Sequence, residues 1–234
     1  MTTQLLEDLA LANRILVNEG VLDGFGHISV RNPNNPERFF IARSMAPALV
    51  DVGDIVEVDL DGGVHDAQGR RTYVERFIHS AIYKVRPDVM SVIHSHSPAV
   101  IPFGVTGARL RPICHMSGFL GATTPIYEIR HTAGENTDLL ISNQALGESL
   151  AKVLGQSNVA LMRGHGSVTV GNSIKQAVFR GIYTENNARL QSEASRLGEI
   201  RFLTDAEAQA TSDMNDLHLD RPWEMWKRNA LKCS

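Results

Sequence analysis

Two histidines flanking a serine, His94-Ser95-His96, close an apolar run, and a third, His165, stands later between glycines in Arg163-Gly164-His165-Gly166. The run Val89-Met90-Ser91-Val92-Ile93 predicts a buried strand. Side chains at i and i+2 of a strand share a face, so His94 and His96 are placed to hold one divalent ion. A second buried strand is predicted at Val159-Ala160-Leu161-Met162, and it delivers His165 where glycine lets the backbone turn and another group approach. A strand histidine taken alone is more often a satisfied polar residue than a ligand. Three together, with a fourth position open, describe a catalytic metal site rather than a closed structural one.

A fourth group is predicted on the segment just before the His94 strand. Residues 72–86 read as a helix stopped by Pro87, and on it Glu75 and His79 lie four apart on one face. A carboxylate reaching the ion would fill the open position until substrate displaced it, and would then act as base or acid. Glu75 is the first candidate for proton delivery and His79 the second. The competing reading is a surface glutamate paired with Arg71 or Arg76.

The elements that must position these groups follow from periodicity. Residues 4–19 carry Leu5, Leu9, Ala12, Ile15 and Leu16 at helical spacing, with Gly20 as the stop. Strands are predicted at Gly26–Arg31, Phe39–Ala42 and Ile55–Leu60, with turn chemistry at 32–36 and at Asp61-Gly62-Gly63. Residues 104–135 mix short strands with loops, and 143–154 form a helix. Asn172-Ser173 caps a long helix over 174–197. The tail, 204–234, reads as one or two short helices. With no repeat or linker, one domain over 1–234 is expected, a three-layer α/β/α sandwich around a mixed central sheet.

Composition narrows the classes. The chain has 234 residues, 43% hydrophobic and 21% charged, with a net charge of -3 that gives no sign of a nucleic-acid surface. No apolar run approaches the ~20 residues needed to span a bilayer, and the N-terminus lacks a signal-peptide pattern. Two distant cysteines, Cys114 and Cys233, fit a reducing, cytoplasmic setting, Cys114 as a small core residue and Cys233 as incidental.

Taken in order, Gly26-x-Ile28-Ser29-Val30-Arg31, Glu75-x-x-x-His79, Arg86-Pro87-Asp88 leading to His94-x-His96, and Gly164-His165-Gly166 resemble the class II aldolase/adducin family over about residues 5–200. The resemblance implies an α/β/α sandwich, often a homotetramer, with a divalent metal near a subunit interface. It implies His94, His96 and His165 as metal ligands and Glu75 as the acid/base carboxylate. The family's sugar-phosphate aldolases hold phosphate with Gly-Asn and Ser-Ser. Here those positions are Gly26-His27 and Tyr73-Val74, and Met116 stands where those aldolases have a proton-donating tyrosine. Residues 43–50, 94–104 and 161–166 instead resemble the metal-dependent decarboxylases of hydroxylated aromatic dicarboxylates, the 3,4-dihydroxyphthalate decarboxylase type.

That resemblance implies a carbon–carbon lyase that removes CO2 from an ortho-hydroxylated aromatic carboxylic acid, with the alternative of an aldolase for unphosphorylated hydroxy-keto compounds. A non-catalytic adducin-like module is disfavoured by the intact ligands, and an epimerase by the missing phosphate site. Three histidines and a carboxylate suit Zn, Mn, Fe or Co. A small aromatic carboxylate is the expected partner, and a dicarboxylate needs a cation, for which Arg43 with Ser44 is the candidate clamp; a surface arginine is the competing reading. His27 is a candidate substrate contact or a capping or core residue, and His115 a candidate to orient substrate. Arg163 is expected to pair with a nearby acid, and His65 and His131 to face solvent. In the tail, His218, Trp223 and Trp226 could cover the active site as a lid; the more common role of two tryptophans three apart is to anchor a helix.

Overall fold

A computed structural model describes residues 2–65 and 67–232; Cys233 lies outside the described residues. Among the described residues, eight strands form one sheet: β1 (His27–Arg31), β2 (Arg38–Ala42), β3 (Ile55–Asp59), β4 (Val64–His65), β5 (Ser91–Ser95), β6 (Ile126–Tyr127), β7 (Val159–Met162) and β8 (Gly166–Gly171). Their order is β4-β3-β2-β1-β5-β8-β7-β6. Neighbours run antiparallel except β6 and β7, which are parallel, so the sheet is mixed. The helices are α1 (Thr2–Asn18), α2 (Arg76–Val85), α3 (Ile101–Val105), α4 (Arg130–Ala133), α5 (Gln144–Leu154), α6 (Ile174–Leu197), α7 (Asp205–Asp216) and α8 (Asp220–Lys232).

The period of two along each strand divides the core. Ile28, Val30, Ile93, Val159 and Leu161 pack against Leu9, Ile15 and Leu16 of α1, Val178 and Ile182 of α6, and α8. Val92, Ala160, Met162, Val168 and Val170 turn the other way, onto Ile78 and Ile82 of α2 and Leu146 and Leu150 of α5. Helices on both faces of one mixed sheet make the expected α/β sandwich. Ser173 caps α6 by accepting from the Gln176 N–H, as its sequence position predicts.

Three expectations need correction. The helix read over 72–86 begins at Arg76, because Thr72 pairs with Arg43 in an isolated bridge and the Tyr73 hydroxyl donates to the Met45 carbonyl. These bonds hold residues 72–73 extended and leave Glu75 at the helix entrance. The strand through His94 runs to Ser95, and β8 follows the His165 turn in a segment for which the pattern predicts no strand. The tail does not cover the histidine face of its own chain. Trp223 and Trp226, 2% and 4% exposed, are buried in the layer with α1 and α6, and the Trp226 ring lies 6.4 Å from that of Tyr183. They anchor α8 on the sheet face opposite α2 and α5, and His218 is exposed beside them. No described helix is long and apolar enough to cross a membrane.

Candidate metal centre

The β5–β8 pairing sets the centre. His94 stands opposite Val168 and Ser95 opposite Ser167, which brings the β7–β8 turn and its His165 against the end of β5. Glycine is required there. A Cβ on Gly166 would collide with the Ser95 carbonyl, and Gly164 takes a left-handed φ of 67°. The three rings form a near-equilateral triangle, with centroids 5.0 Å (His94–His96), 4.9 Å (His94–His165) and 5.0 Å (His96–His165) apart. His165 Nε2 lies 3.2 Å from His96 Nε2. Glu75 Oε2 closes the group at 3.4 Å from His94 Nε2 and 3.6 Å from His165 Nε2.

Each histidine is oriented through its other nitrogen. His94 Nδ1–H donates to the Ser167 carbonyl at 3.2 Å, His165 Nδ1–H to the Leu139 carbonyl at 2.9 Å, and His96 Nδ1–H to Asp23 Oδ2 at 3.0 Å. With the protons assigned by these acceptors, all three Nε2 lone pairs face one point. Leu139 adopts a left-handed φ of 69°, a strained state for a branched residue, and its carbonyl serves His165. Among the described residues, His94 Nε2 is buried without a hydrogen-bond partner. A buried ring nitrogen left unpaired is costly unless something else satisfies it. Converging imidazoles, an orphaned lone pair and a carboxylate fit a divalent ion of the Zn, Mn, Fe or Co type.

Glu75 is fixed by the Ile141 N–H, which donates to Oε1 at 3.1 Å and leaves Oε2 toward the histidines. Burial by itself would raise this carboxyl. Its histidine neighbours, His94 foremost, outweigh burial and hold it well below the usual carboxylate range. Pairing with Arg76 does not occur: the Arg76 guanidinium donates to the Gly62 and Tyr73 carbonyls.

His79, expected to share a helical face with Glu75, points elsewhere. It is 0% exposed; Nε2 lies 2.7 Å from His27 Nδ1, and Nδ1 lies 2.6 Å from Ser29 Oγ. Burial, with a smaller contribution from His94, pushes it down to about 3. His27 stands opposite His94 in the β1–β5 register, with ring centroids 5.2 Å apart, and its ring leans on Tyr73 at 4.4 Å. His27 therefore borders the centre, and His79 sits behind it.

The remaining candidates are spread out. Arg43 Nε donates to Asp54 at 2.8 Å, and its guanidinium acts electrostatically on the Tyr73 hydroxyl. Ser44 is exposed, its backbone N–H donating to the Arg71 carbonyl. His115 is exposed at the start of a 3-10 segment, and its carbonyl accepts from Asn215 of α7. Among the described residues its hydrogen bonding is thus to α7, and the structure does not gather it with the triad. Arg163 pairs with Glu128, as expected, and His131 is exposed. His65, read as solvent-facing, is half-buried and bonded to Asp59 at 2.8 Å. Asp23 is the side chain that sequence reasoning misses. Its carboxylate also accepts from the Phe25 and Gly26 N–H groups, and its position bears no spacing relation to His96.

Residues 7–192 match the family described as the Class II Aldolase and Adducin N-terminal domain. The chain is 40% identical to the decarboxylase tropJ of Talaromyces stipitatus, across 92% of this chain and 89% of that protein. It is 28% identical to a 3,4-dihydroxyphthalate decarboxylase of Arthrobacter keyseri, across 89% and 86%. Its fold is similar to the crystal structure of an aldolase II superfamily protein from Pseudomonas syringae, with a TM-score of 0.81, 25% identity, and 99% and 93% of the two chains covered.

Proposed function

The chain belongs to the class II aldolase and adducin family and is an enzyme of carboxy-lyase type, and from that premise we propose that it is a metal-dependent, non-oxidative decarboxylase of an ortho-hydroxylated aromatic carboxylic acid. The observation that carries this reading is the convergence of His94, His96 and His165 Nε2 beside Glu75. A divalent ion held there supplies Lewis-acid charge that lowers the energy of negative charge developing on the substrate oxygen. Neutral imidazole ligands leave that charge undiminished.

The chain's own groups move the proton. Glu75 rests ionised, so it begins as a base and takes the proton of the substrate hydroxyl at Oε2. It then delivers that proton to the ring carbon that bears the carboxylate, which turns the ring into its keto tautomer. The bond to the carboxylate breaks, CO2 leaves, and the electron pair returns to the ring and its oxygen. The oxygen regains a proton from water, so one proton is consumed for each CO2 released. His27 borders this site, and Tyr73, packed on the His27 ring, forms the adjoining wall. Arg43 is proposed to meet a carboxylate of the substrate, since its terminal nitrogens make no hydrogen bond among the described residues. By the same family resemblance the working form is a homotetramer.

CO2 release from paired substrates tests the reading. Metal-loaded protein is offered 3,4-dihydroxyphthalate, a hydroxypyridine dicarboxylate and a dihydroxybenzoate, each beside its analogue lacking the ortho hydroxyl. Release from the hydroxylated member only, abolished by chelator, is expected. Equal release from both members removes the proposed role of the hydroxyl. No release from any, with metal bound, turns the assignment to aldol cleavage of unphosphorylated hydroxy-keto compounds.

A further inference from the structure

Behind the centre, four polar side chains run in single file through an apolar interior. The Tyr83 hydroxyl lies 2.8 Å from Ser29 Oγ, Ser29 Oγ 2.6 Å from His79 Nδ1, and His79 Nε2 2.7 Å from His27 Nδ1. All four residues are buried, and the ring of Phe39 stacks on His79 and tilts against Tyr83. Polar groups are expensive in such a place unless each finds a partner, and here each does. A purely structural core would be served by apolar side chains of the same size.

The file has a direction. Two neutral imidazoles facing each other share one proton between the facing nitrogens, so one donates and the other accepts. The end farthest from the centre decides which. The Tyr83 hydroxyl has two acceptors in view, Ser29 Oγ at 2.8 Å and the Met90 carbonyl at 3.5 Å. The shorter bond is the one a phenol makes. Ser29 then donates to His79 Nδ1, His79 Nε2–H donates to His27 Nδ1, and the remaining proton of His27 sits on Nε2. The His27 ring is within electrostatic reach of His94, Glu75 and His96.

We propose that Tyr83, Ser29 and His79 form a directed hydrogen-bond relay that fixes His27 as an Nε2–H donor at the edge of the metal centre, where it binds an oxygen of the substrate. His79 is a positioning residue that acts through His27. The proposal rests on the decarboxylase reading only for what the oxygen belongs to; the relay is a property of the chain itself.

The test is the tautomer. Histidine-15N-labelled protein is examined by long-range 1H–15N correlation, metal-free and zinc-loaded, with His27 and His79 assigned from His27→Gln and His79→Gln. The expected spectrum shows a bare Nδ1 and a protonated Nε2 on both residues. A proton on His27 Nδ1 reverses the file and overturns the proposal, whatever the protein turns over. Ser29→Ala, which removes the donor to His79 and leaves the rings in place, is expected to mix the His27 tautomers. It is also expected to lower kcat/KM by about tenfold, the size of one hydrogen bond, with metal content unchanged. His79→Gln retains an amide donor toward His27 and is expected to restore most of what His79→Leu loses. Equal loss in both variants, with both folded, contradicts a positioning role. The expected tautomers with no CO2 release would leave the relay standing and remove the decarboxylase.

Discussion

Two groups of histidines lie side by side in this molecule and use their nitrogens in opposite ways. In the triad, each Nδ1 is spent on an oxygen acceptor, two backbone carbonyls and Asp23, so three Nε2 lone pairs converge, that of His94 with no hydrogen-bond partner among the described residues. In the neighbouring pair, His27 and His79 bond to each other and to Ser29, so the lone pairs are absorbed within the protein. Histidine count does not separate a metal site from a polar core. The oxygen acceptors on the far nitrogens do, because they decide which lone pairs are left over.

Removing a ligand should break the comparison most completely. His96→Ala is expected to lose stoichiometric metal and all turnover above background, read by elemental analysis and CO2 release; retention of a full metal equivalent would mean that the triad is not the site. Next comes Glu75→Gln. It is expected to keep most of the metal while turnover falls about 10²- to 10⁴-fold, the range for a lost general acid–base group. Near-normal turnover would remove Glu75 from proton transfer. Asp23→Ala tests the orienting acceptor. With the His96 ring free to turn, metal affinity should drop about 10- to 100-fold in a competition titration against a chelator of known affinity.

The buried pair is tested separately, through acid stability. His79 is pushed down from its ordinary 6.5 to about 3, so between those values the unfolded chain binds a proton that the folded chain refuses. Stability of the metal-free protein should therefore fall as pH drops from 6.5 toward 3, by about 1.4 kcal/mol per pH unit from this residue. His79→Gln should show the shallower acid dependence of Tm. A slope unchanged by the substitution would mean that His79 is not refusing a proton.

The chain's pattern discloses these features unevenly, for physical reasons. His94, His96 and His165 are legible because strand period and flanking glycines are local signals. Glu75 is legible as a residue but not in its geometry. The Tyr73–Met45 and Arg43–Thr72 bonds that delay the start of α2 join segments far apart in sequence. The carbonyls of Leu139 and Ser167 cannot be read at all, since every residue carries one. The tail illustrates an ambiguity of residue type. Tryptophans three apart suit either a lid or an anchor, and only the position of α8 against α1 and α6 decides for the anchor. The layers are legible because β5 and β7 are short apolar runs, whereas β8, built of glycine, serine, threonine and two valines, carries no such signal.

The most direct test of the metal centre is the coordination of a stoichiometrically loaded ion. X-ray absorption of the zinc-loaded protein, with metal per chain measured in parallel, should show one ion per chain bound by three imidazole nitrogens and an oxygen. A protein that takes up no stoichiometric ion, or an ion seen by fewer than three imidazoles, would contradict the assignment of His94, His96 and His165.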